Sequence, residues 1–217
     1  MLILGQNRSG KSVIATRIGR SWVGPVVVFD PKGDDREAVL PNMAVARRAD
    51  DAVRHLPGRI IYRPELGEYE ARGGRIPGIW ASWDRICRRV YDGARRGERP
   101  YLVIVHELAT LTTSTGIGPA FAQLIREGGG MGISLILISQ RPQGTAMIAR
   151  SEAQHVVVLT LTDQAARDVA AELLADVDRP EMAQLVRSRP LPLDHTWWYR
   201  GPDFRLKLHA PVPLGPR

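Results

Sequence analysis

Residues near the start of the sequence have the types and spacing needed to hold phosphate groups. Residues 5–12 read GQNRSGKS, which fits G-x-x-x-x-G-K-[ST] between a short apolar run and a segment with helical periodicity. Gly5 and Gly10 allow the tight backbone that points amide N–H groups at phosphate oxygens. The Lys11 ammonium would reach the β- and γ-phosphates, and the Ser12 hydroxyl would hold Mg²⁺. The motif therefore predicts a nucleoside triphosphate site.

The predicted phosphate-binding residues form one continuous run. They are Gly5, Gln6, Asn7, Arg8, Ser9, Gly10, Lys11, Ser12 and Val13. The helix that begins near Lys11 adds its positive end to the site. A glycine-rich turn with a surface lysine is the alternative interpretation, which the strand and helix on either side disfavour.

A second pair of polar residues follows the buried apolar run at residues 102–105, within YLVIVHELATL. Such a strand commonly delivers its last polar side chains to a site at the carboxyl edge of a sheet. Phosphoryl transfer to water needs a group that orients the attacking water, and we expect Glu107 to do this. The alternative is that Glu107 only caps the end of the strand.

His106 occupies a position where a nucleotide site would be expected to carry an acidic residue. Mg²⁺ commonly keeps several waters and uses few protein ligands, so Ser12, the phosphates and water can hold it. A neutral ring nitrogen of His106 can accept a hydrogen bond from a metal-bound water. Asp30, which ends the strand VVVFD, is a further candidate metal ligand. The alternative for His106 is a packing role.

Gln140 ends another buried strand, in the segment ISLILISQRP. A neutral amide at that edge can contact the γ-phosphate or the attacking water and report whether they are present. Polar residues after strands are common, so this prediction depends on the other two motifs.

Strand-like and helical patterns alternate along most of the chain. Apolar strands are predicted at MLIL, PVVVFD, LVIV, ISLILIS and HVVVLTLT. Helices are predicted at SVIATRIGRSW, GIWASWDRICRRVYDGARRG, PAFAQLIREGG and DQAARDVAAELL, the last with Asp163 near its start. This alternation indicates an α/β fold, a mostly parallel sheet with helices on both faces. The segment HTWWYR-GPD-FRLKL predicts a C-terminal antiparallel hairpin.

Other segments are less regular. Residues 44–62 contain short apolar pieces without a clear assignment. Residues 63–77, RPELGEYEARGGRIP, predict a mobile loop or a small hairpin, and PKGDD predicts a turn that leads into a helix.

Length and composition limit the class of protein. The 217 residues suit one domain, which we assign to residues 1–209, followed by a flexible tail at 210–217. The net charge of +7 and the pI near 10.2 point to a polyanionic partner, nucleic acid before anionic membrane. A merely solubilising surface rich in arginine is the alternative, and charge alone favours neither interpretation. The single cysteine, Cys87, excludes an internal disulfide and is expected to be a small core residue. No run approaches the ~18–20 apolar residues that span a bilayer, so we expect a cytoplasmic protein.

The ordered motifs GQNRSGKS, VVVFDPKGD, LVIVHE, GISLILISQRP and HVVVLTLTDQAARDVA resemble those of the FtsK/HerA superfamily of P-loop ATPases. The resemblance covers most of residues 1–175. It implies a RecA-like (ASCE) P-loop NTPase core, ATP and Mg²⁺ as cofactors, and Gln140 as the sensor. It also implies that the phosphate-loop strand and the Glu107 strand flank the Gln140 strand. Members of this superfamily form rings, often hexamers, and move double-stranded DNA.

The short length makes the chain most similar to the small genome-packaging ATPases of viruses and phages. That resemblance implies double-stranded DNA, further copies of the chain and a capsid portal or membrane vertex protein as partners. It also implies a location in the host cytoplasm or association with the virion. Alternatives are a DNA-transfer or segregation pump of the same superfamily, a filamentous-phage assembly ATPase, or a small P-loop kinase or GTPase. DNA-stimulated hydrolysis separates a pump from a kinase.

Ring ATPases of this type usually complete a neighbour's site with an arginine that stabilises charge in the transition state. Arg126 is the first candidate, followed by Arg150 and Arg167; the alternative for each is a solvated helix-face arginine. With Arg126, the predicted catalytic set comprises Lys11, Glu107 and Gln140.

A pump also needs basic side chains that track DNA phosphates. Arg72 and Arg75, beside glycines, and Arg141, directly after the sensor, are the candidates for DNA contact. Further basic residues are Arg88, Arg89, Arg95, Arg96 and Arg99. We expect Arg88 and Arg89 to be solvated. The tryptophans at 80, 83, 197 and 198 are expected to pack in the core or at a subunit interface.

Overall fold

The computed structural model describes residues 1–33, 40–70, 78–98, 100–113, 116–174, 180–188 and 196–211. Within these residues, a nine-stranded sheet has the order β3-β4-β2-β5-β6-β1-β7-β8-β9. Its strands are β1 (Leu2–Leu4), β2 (Val26–Phe29), β3 (Ala44–Ala46), β4 (Arg59–Tyr62), β5 (Tyr101–Val105), β6 (Ile133–Ser139), β7 (Val156–Val158), β8 (Trp197–Arg200) and β9 (Leu206–His209). The helices are α1 (Lys11–Ser21), α2 (Ala49–His55), α3 (Gly78–Arg95), α4 (Pro119–Glu127), α5 (Met147–Ser151), α6 (Gln164–Leu173) and α7 (Pro180–Ser188).

The sheet is parallel except at one edge. Strands β1 to β7 pair in parallel, whereas β8 pairs antiparallel with both β7 and β9. This arrangement confirms the predicted α/β class, the mostly parallel sheet and the C-terminal antiparallel hairpin. Because β1, β5 and β6 carry apolar side chains on both faces, they need cover from helices on both sides.

The two faces of the sheet are covered unequally. Leu2 and Leu4 point into a large core that includes buried side chains from α2 to α7, whereas Ile3 points into a smaller core on the opposite face. In the described part of the chain, α1 is the helix that contributes buried side chains to the smaller core, through Ile14 and Ala15. Among the described helices, the one that follows the phosphate loop therefore has this face of the sheet largely to itself.

An aromatic cluster stabilises the larger core. Trp83 lies between Phe29, Tyr62 and Phe121, with ring centroids 5.1 to 6.5 Å away. Trp83 is 1% exposed, so the predicted packing role of this tryptophan is confirmed. Cys87 lies one helical turn further along α3 and is free and buried. Burial raises the pKa of its thiol well above the usual range, which suits a core residue rather than a nucleophile.

Two segments differ from the sequence patterns. The unassigned residues 44–62 form β3, α2 and β4, a parallel strand–helix–strand unit at one edge of the sheet. The predicted strand HVVVLTLT is shorter than expected, because only Val156–Val158 join the sheet. Beyond it the chain turns behind the phosphate loop, where the carbonyl of Thr160 accepts a hydrogen bond from the amide of Gln6 at 2.8 Å.

Other predictions extend beyond the described residues. The helix start predicted after PKGDD falls at residues 34–39, which lie outside the described ranges. Most of the predicted glycine-rich loop falls at residues 71–77, which also lie outside them. The assignment of one domain to residues 1–209 stays a prediction. None of the helices in the described ranges is long and apolar enough to cross a membrane.

Candidate active site

The predicted site residues follow three neighbouring strands. The sheet order β5-β6-β1 puts the strand before His106 and the strand before the phosphate loop on either side of the Gln140 strand. This confirms the strand arrangement that the family resemblance implied. Because all three strands run in the same direction, their carboxyl ends open onto one edge of the sheet. Leu4 pairs with Ser139, so the phosphate loop and Gln140 leave the sheet at the same level.

The phosphate loop is shaped by two glycines. A Cβ on Gly5 would come within 2.5 Å of Ser9 Oγ, so a side chain at position 5 would collide with the loop. Gly10 has φ 98° at the start of α1, a left-handed conformation that glycine adopts without steric cost. Arg8 has φ 61°, and its side chain is exposed.

The side chain of Lys11 crosses the phosphate loop. Its Nζ atom donates a hydrogen bond to the carbonyl of Gln6 at 2.6 Å, and the residue is only 7% exposed. The Gln6 side chain is held as well, since its Oε1 atom accepts a hydrogen bond from Thr162 Oγ1 at 2.9 Å. The loop is thus preorganised by its own contacts. Lys11 would exchange the Gln6 carbonyl for a phosphate oxygen when a nucleotide binds.

His106 and Ser12, 94 positions apart in sequence, meet at this edge. Nδ1 of His106 lies 3.5 Å from Oγ of Ser12, at the limit of hydrogen bonding. A serine hydroxyl beside an imidazole fits a hard cation that keeps most of its own waters, because the hydroxyl can bind the metal and the ring can bind a metal-bound water. These two residues therefore fit Mg²⁺ in the way the sequence predicts, and His106 as a contact to a metal-bound water stays a prediction.

Asp30 is already engaged by protein groups. Its Oδ2 atom forms a salt bridge with Arg63 Nε at 2.9 Å, and its Oδ1 atom accepts a hydrogen bond from the amide of Gly33 at 3.2 Å. Burial raises the pKa of Asp30, an effect that Arg63 and, more weakly, His106 oppose. A metal would have to compete with Arg63 for this carboxylate. Its predicted role as a possible metal ligand remains a prediction, and its observed role is to anchor the turn after β2.

Glu107 and Gln140 are in direct contact. Nε2 of Gln140 donates to Oε2 of Glu107 at 3.0 Å. The same carboxylate oxygen accepts from Nζ of Lys32 at 3.1 Å, and the Glu107 side chain is 15% exposed. Sequence patterns placed Glu107 and Gln140 at the same edge but missed Lys32. The available signal was its position in DPKGD, directly beyond a buried strand that lies next to β5 in the sheet.

A buried pair of hydroxyl groups supports Gln140 from behind. Ser139 Oγ donates to the carbonyl of Arg141 at 3.1 Å and accepts from the amide of the same residue at 3.2 Å. Thr145 Oγ1 donates to Ser139 Oγ at 3.2 Å, and both hydroxyl residues are fully buried. This arrangement holds the backbone on either side of Gln140 and leaves the Arg141 side chain exposed. Ser139 and Thr145 were not singled out from the sequence.

The candidate arginines lie in different environments. Arg126, in the last turn of α4, lines a cavity of about 570 Å³ together with Met1, Gly132 and His155, which precede β1, β6 and β7. That cavity is at the amino edge of the sheet, whereas the phosphate loop is at the carboxyl edge. The seven residues of β6 separate the two edges by roughly 20 Å. Arg126 is therefore too far away to serve the phosphate loop of its own chain.

Two further candidate arginines are engaged by the chain itself or partly enclosed. The Arg167 guanidinium donates to the carbonyls of Thr162 and Arg187, at 2.6 and 3.1 Å. Arg150 has a buried Nε atom on α5.

The prediction that Arg89 is solvated is wrong. Arg89 pairs with Glu98 at 2.7 Å and donates to a main-chain carbonyl, so it anchors the end of α3. Arg88 is exposed, as predicted. Arg72, Arg75 and Arg99 lie outside the described residues.

Solved structures share this fold. The genome-packaging NTPase B204 from Sulfolobus turreted icosahedral virus 2 has a TM-score of 0.69 and 14% identity, over 98% of this chain and 96% of that chain. The pCW3 conjugation coupling protein TcpA has a TM-score of 0.56 and 15% identity, over 92% of this chain and 56% of that one. The cytoplasmic domain of the type VII secretion ATPase EccC from Thermomonospora curvata has a TM-score of 0.51 and 16% identity, over 99% of this chain and 26% of that one.

These likenesses establish the fold. They confirm the predicted fold, which this chain shares with a packaging NTPase, a conjugation coupling protein and a secretion ATPase. Structures of B204 were determined with AMPPCP and with ATP-gammaS. No protein-family model matches the chain, and no curated protein matches it in sequence.

The pairing of His106 with Ser12 gives a testable prediction. We expect His106→Leu to raise the Mg²⁺ concentration for half-maximal ATP hydrolysis by roughly tenfold, because side chains that hold a metal-bound water typically contribute that much to metal affinity. The matched control is His106→Asn, whose amide keeps a polar atom near the position of Nδ1 and should retain most of the affinity. A Mg²⁺ titration of the hydrolysis rate measures both, and an unchanged midpoint in His106→Leu would contradict the assignment.

Proposed function

We propose that the protein is an ATPase that translocates double-stranded DNA, a viral genome-packaging motor that works as a homo-oligomeric ring. The observation that carries this proposal is the contact between Glu107 and Gln140 at the edge where Lys11 and Ser12 lie. A phosphate loop alone would suit many nucleotide-binding proteins. A carboxylate held against an amide beside that loop is the arrangement needed to orient water and to sense the γ-phosphate.

The proposed reaction begins with binding of ATP at the phosphate loop. Backbone amides of residues 5–12 and the positive end of α1, whose first turn reads KSVI, would receive the phosphates. Lys11 would move from the Gln6 carbonyl to the β- and γ-phosphates. Mg²⁺, when bound with the nucleotide, neutralises charge on the phosphate oxygens. Ser12 would hold the metal, and His106 would accept a hydrogen bond from one of its waters.

Glu107 would orient the water that attacks the γ-phosphate. One of its oxygens, Oε1, is free of the contacts that Lys32 and Gln140 make with Oε2, and a carboxylate can accept a hydrogen bond on either oxygen. Gln140 would bridge this carboxylate and the γ-phosphate, so loss of the phosphate would alter the contact. Arg141, adjacent to Gln140, could carry that change to a bound DNA strand.

We further propose that Arg126 acts on the site of a neighbouring subunit. Since it lies at the edge of the sheet opposite to its own phosphate loop, it can contribute to catalysis only in trans. In a ring with a head-to-tail interface, the amino edge of one subunit can approach the carboxyl edge of the next. A guanidinium supplied in this way would stabilise charge in the transition state.

The proposal that the translocated polymer is double-stranded DNA rests on charge and on the likeness to solved structures. A net charge of +7 favours a polyanionic track, and Arg72, Arg75 and Arg141 are the proposed contacts. The likeness to B204 spans nearly the whole of both chains, which supports a packaging motor. The likeness to TcpA supports a DNA-transfer pump as the second candidate. A capsid portal or membrane vertex protein is the proposed partner of a packaging motor.

The proposed function predicts DNA-stimulated hydrolysis that depends on Glu107. Steady-state ATP hydrolysis should rise when long double-stranded DNA is added, whereas Glu107→Gln should lose at least roughly a hundredfold in rate in both conditions, since an oriented general base typically contributes that much. The glutamine variant should bind ATP with wild-type affinity, because it changes neither the phosphate loop nor Ser12. Hydrolysis that DNA does not affect, or transfer of phosphate to a small acceptor, would contradict the translocase proposal.

The assignment of Arg126 predicts complementation between two inactive variants. Arg126→Ala and Glu107→Gln should each be nearly inactive alone, and mixing them should restore part of the activity, because some interfaces then pair an intact Glu107 with an intact Arg126. Arg95→Ala, which removes an exposed arginine at the end of α3, is the matched control and should hydrolyse ATP normally. A mixture that stays as inactive as its components would contradict action in trans.

A further inference from the structure

The guanidinium of Arg167 binds the turn that lies behind the phosphate loop. This turn, residues 159–163, joins β7 to α6, and Arg167 lies at the end of the first turn of α6. Its Nη1 atom donates to the carbonyl of Thr162 at 2.6 Å and to that of Leu161 at 3.4 Å. We propose that Arg167 is a positioning residue that holds this turn, and through it the phosphate loop, in the shape that binds nucleotide. This inference rests on the nucleotide site of the proposed function.

The turn contacts the phosphate loop at Gln6. The carbonyl of Thr160 accepts a hydrogen bond from the amide of Gln6 at 2.8 Å, and Thr162 Oγ1 donates to Gln6 Oε1 at 2.9 Å. The carbonyl of Gln6 in turn accepts from Nζ of Lys11 at 2.6 Å. The turn therefore holds both the amide and the side chain of Gln6. A shift of the turn would move the carbonyl that sets the resting position of the Lys11 ammonium.

Close packing makes the phosphate loop sensitive to such a shift. A Cβ on Gly5 would come within 3.1 Å of the Cβ atom of Leu159, so the loop and the start of the turn lie directly against each other. Closely packed groups transmit a displacement instead of absorbing it. Phosphate binding by backbone amides depends on the direction in which each N–H group points. A displaced turn would consequently weaken the binding of phosphates.

Arg167 is anchored on its other side by α7. Its Nε atom donates to the carbonyl of Arg187, in the last turn of α7, at 3.1 Å. Its Nη2 atom donates to Oε1 of Gln164. Carbonyls in the last turn of a helix lack partners within the helix and attract cations. The guanidinium thus joins the end of α7 to the turn behind the phosphate loop.

These contacts bear on the role of Arg167 as a candidate finger. Nε, Nη1 and Nη2 each donate to an oxygen of the same chain. Arg167 could reach the γ-phosphate of a neighbouring subunit only by giving up these hydrogen bonds, which are strengthened by its charge. The geometry therefore supports a role within its own chain.

Two other roles for Arg167 predict different results. A finger in trans would stabilise charge at the γ-phosphate, so its removal would lower turnover and leave the affinity for ADP unchanged. A guanidinium that only joins α6 to α7 would contribute to the thermal midpoint and leave the nucleotide affinity of the folded protein unchanged. A positioning residue predicts weaker binding of ADP and of ATP by the same factor, because the phosphate loop receives the phosphates that both nucleotides share.

The test measures the dissociation constants of ADP and of ATP-gammaS, with Mg²⁺, for wild type and Arg167→Ala. We expect both constants to rise about tenfold, which corresponds to the loss of one hydrogen bond from a charged donor. The Michaelis constant for ATP should rise by the same factor. Turnover at saturating ATP should stay near that of wild type, since the change removes binding that the ground state and the transition state share.

A second variant tests the link between the turn and Gln6. Thr162→Val removes the hydroxyl that binds Gln6 and keeps the size of the side chain. We expect it to raise both dissociation constants about threefold, because a neutral hydrogen bond contributes less than a charge-assisted one. Combined with Arg167→Ala it should add little, since both changes act through Gln6.

Two control variants separate geometry from charge. Arg167→Lys keeps the charge but not the planar fork, and its affinities should lie between those of wild type and Arg167→Ala. Arg205→Ala removes an exposed arginine between β8 and β9 and should bind both nucleotides as wild type does.

Thermal melts followed by circular dichroism establish that each variant is folded. Unchanged dissociation constants in folded Arg167→Ala would overturn the proposal, as would a loss of affinity confined to ATP-gammaS. If Arg167→Ala does not fold, Thr162→Val decides, and unchanged constants in that variant would overturn the proposal.

The results for wild type separate this inference from the proposed function. If wild type binds both nucleotides with the expected dependence on Arg167 but does not hydrolyse ATP, the ATPase is overturned and the positioning role stands. If wild type binds neither nucleotide, both are overturned.

Discussion

The candidate site depends on three buried parallel strands, β5, β6 and β1, that lie side by side and end at one edge. Their apolar side chains pack against a core on each face of the sheet, so a slip of one residue in any strand would send every side chain into the opposite core, where its size does not match its neighbours. This packing holds the register between Leu4 and Ser139 and between Val105 and Leu137. The phosphate loop and the polar residues of the other two strands consequently leave the sheet together. The contact of Glu107 with Gln140 at 3.0 Å is a result of this register.

Charge at the carboxyl edge is distributed in an unusual way. His106 stands beside Ser12 where a carboxylate would be expected, and the nearby carboxylate of Asp30 is neutralised by Arg63. Glu107 is then the acidic side chain that faces Gln140, and Lys32 balances it in the resting site. A metal at this site would rely on Ser12 and on phosphate oxygens. That arrangement makes metal binding depend on the nucleotide, because the protein alone offers few anionic oxygens.

Much of the fold and part of the site could be predicted from the sequence. The phosphate loop is a contiguous motif between a strand and a helix, so it could be recognised directly. His106, Glu107 and Gln140 each follow a long apolar run, so their position at the carboxyl edge of the sheet could be inferred without coordinates. The short strands β3 and β4 could not, because three or four residues are too few to show a period.

The partners of these residues were harder to foresee. Lys32 contacts Glu107 because β2 lies between β4 and β5, an order that no local pattern reveals. Local patterns also do not reveal that Arg63, just after β4, pairs with Asp30. Nor do they reveal that Arg89 pairs with Glu98, which lies in the loop after the helix that carries Arg89. An arginine-rich helix face indicates exposure on average but does not identify which side chain turns back to the protein.

In the function proposed for this protein, one edge of the sheet binds a nucleoside triphosphate and directs water at its γ-phosphate. A crystal structure with AMPPCP and Mg²⁺ tests this most directly. We expect Lys11 Nζ to leave the Gln6 carbonyl for the phosphates, and Glu107 and Gln140 both to contact a water in line with the γ-phosphorus. An analogue bound while Lys11 still holds the Gln6 carbonyl, or a terminal phosphate remote from both Glu107 and Gln140, would contradict it.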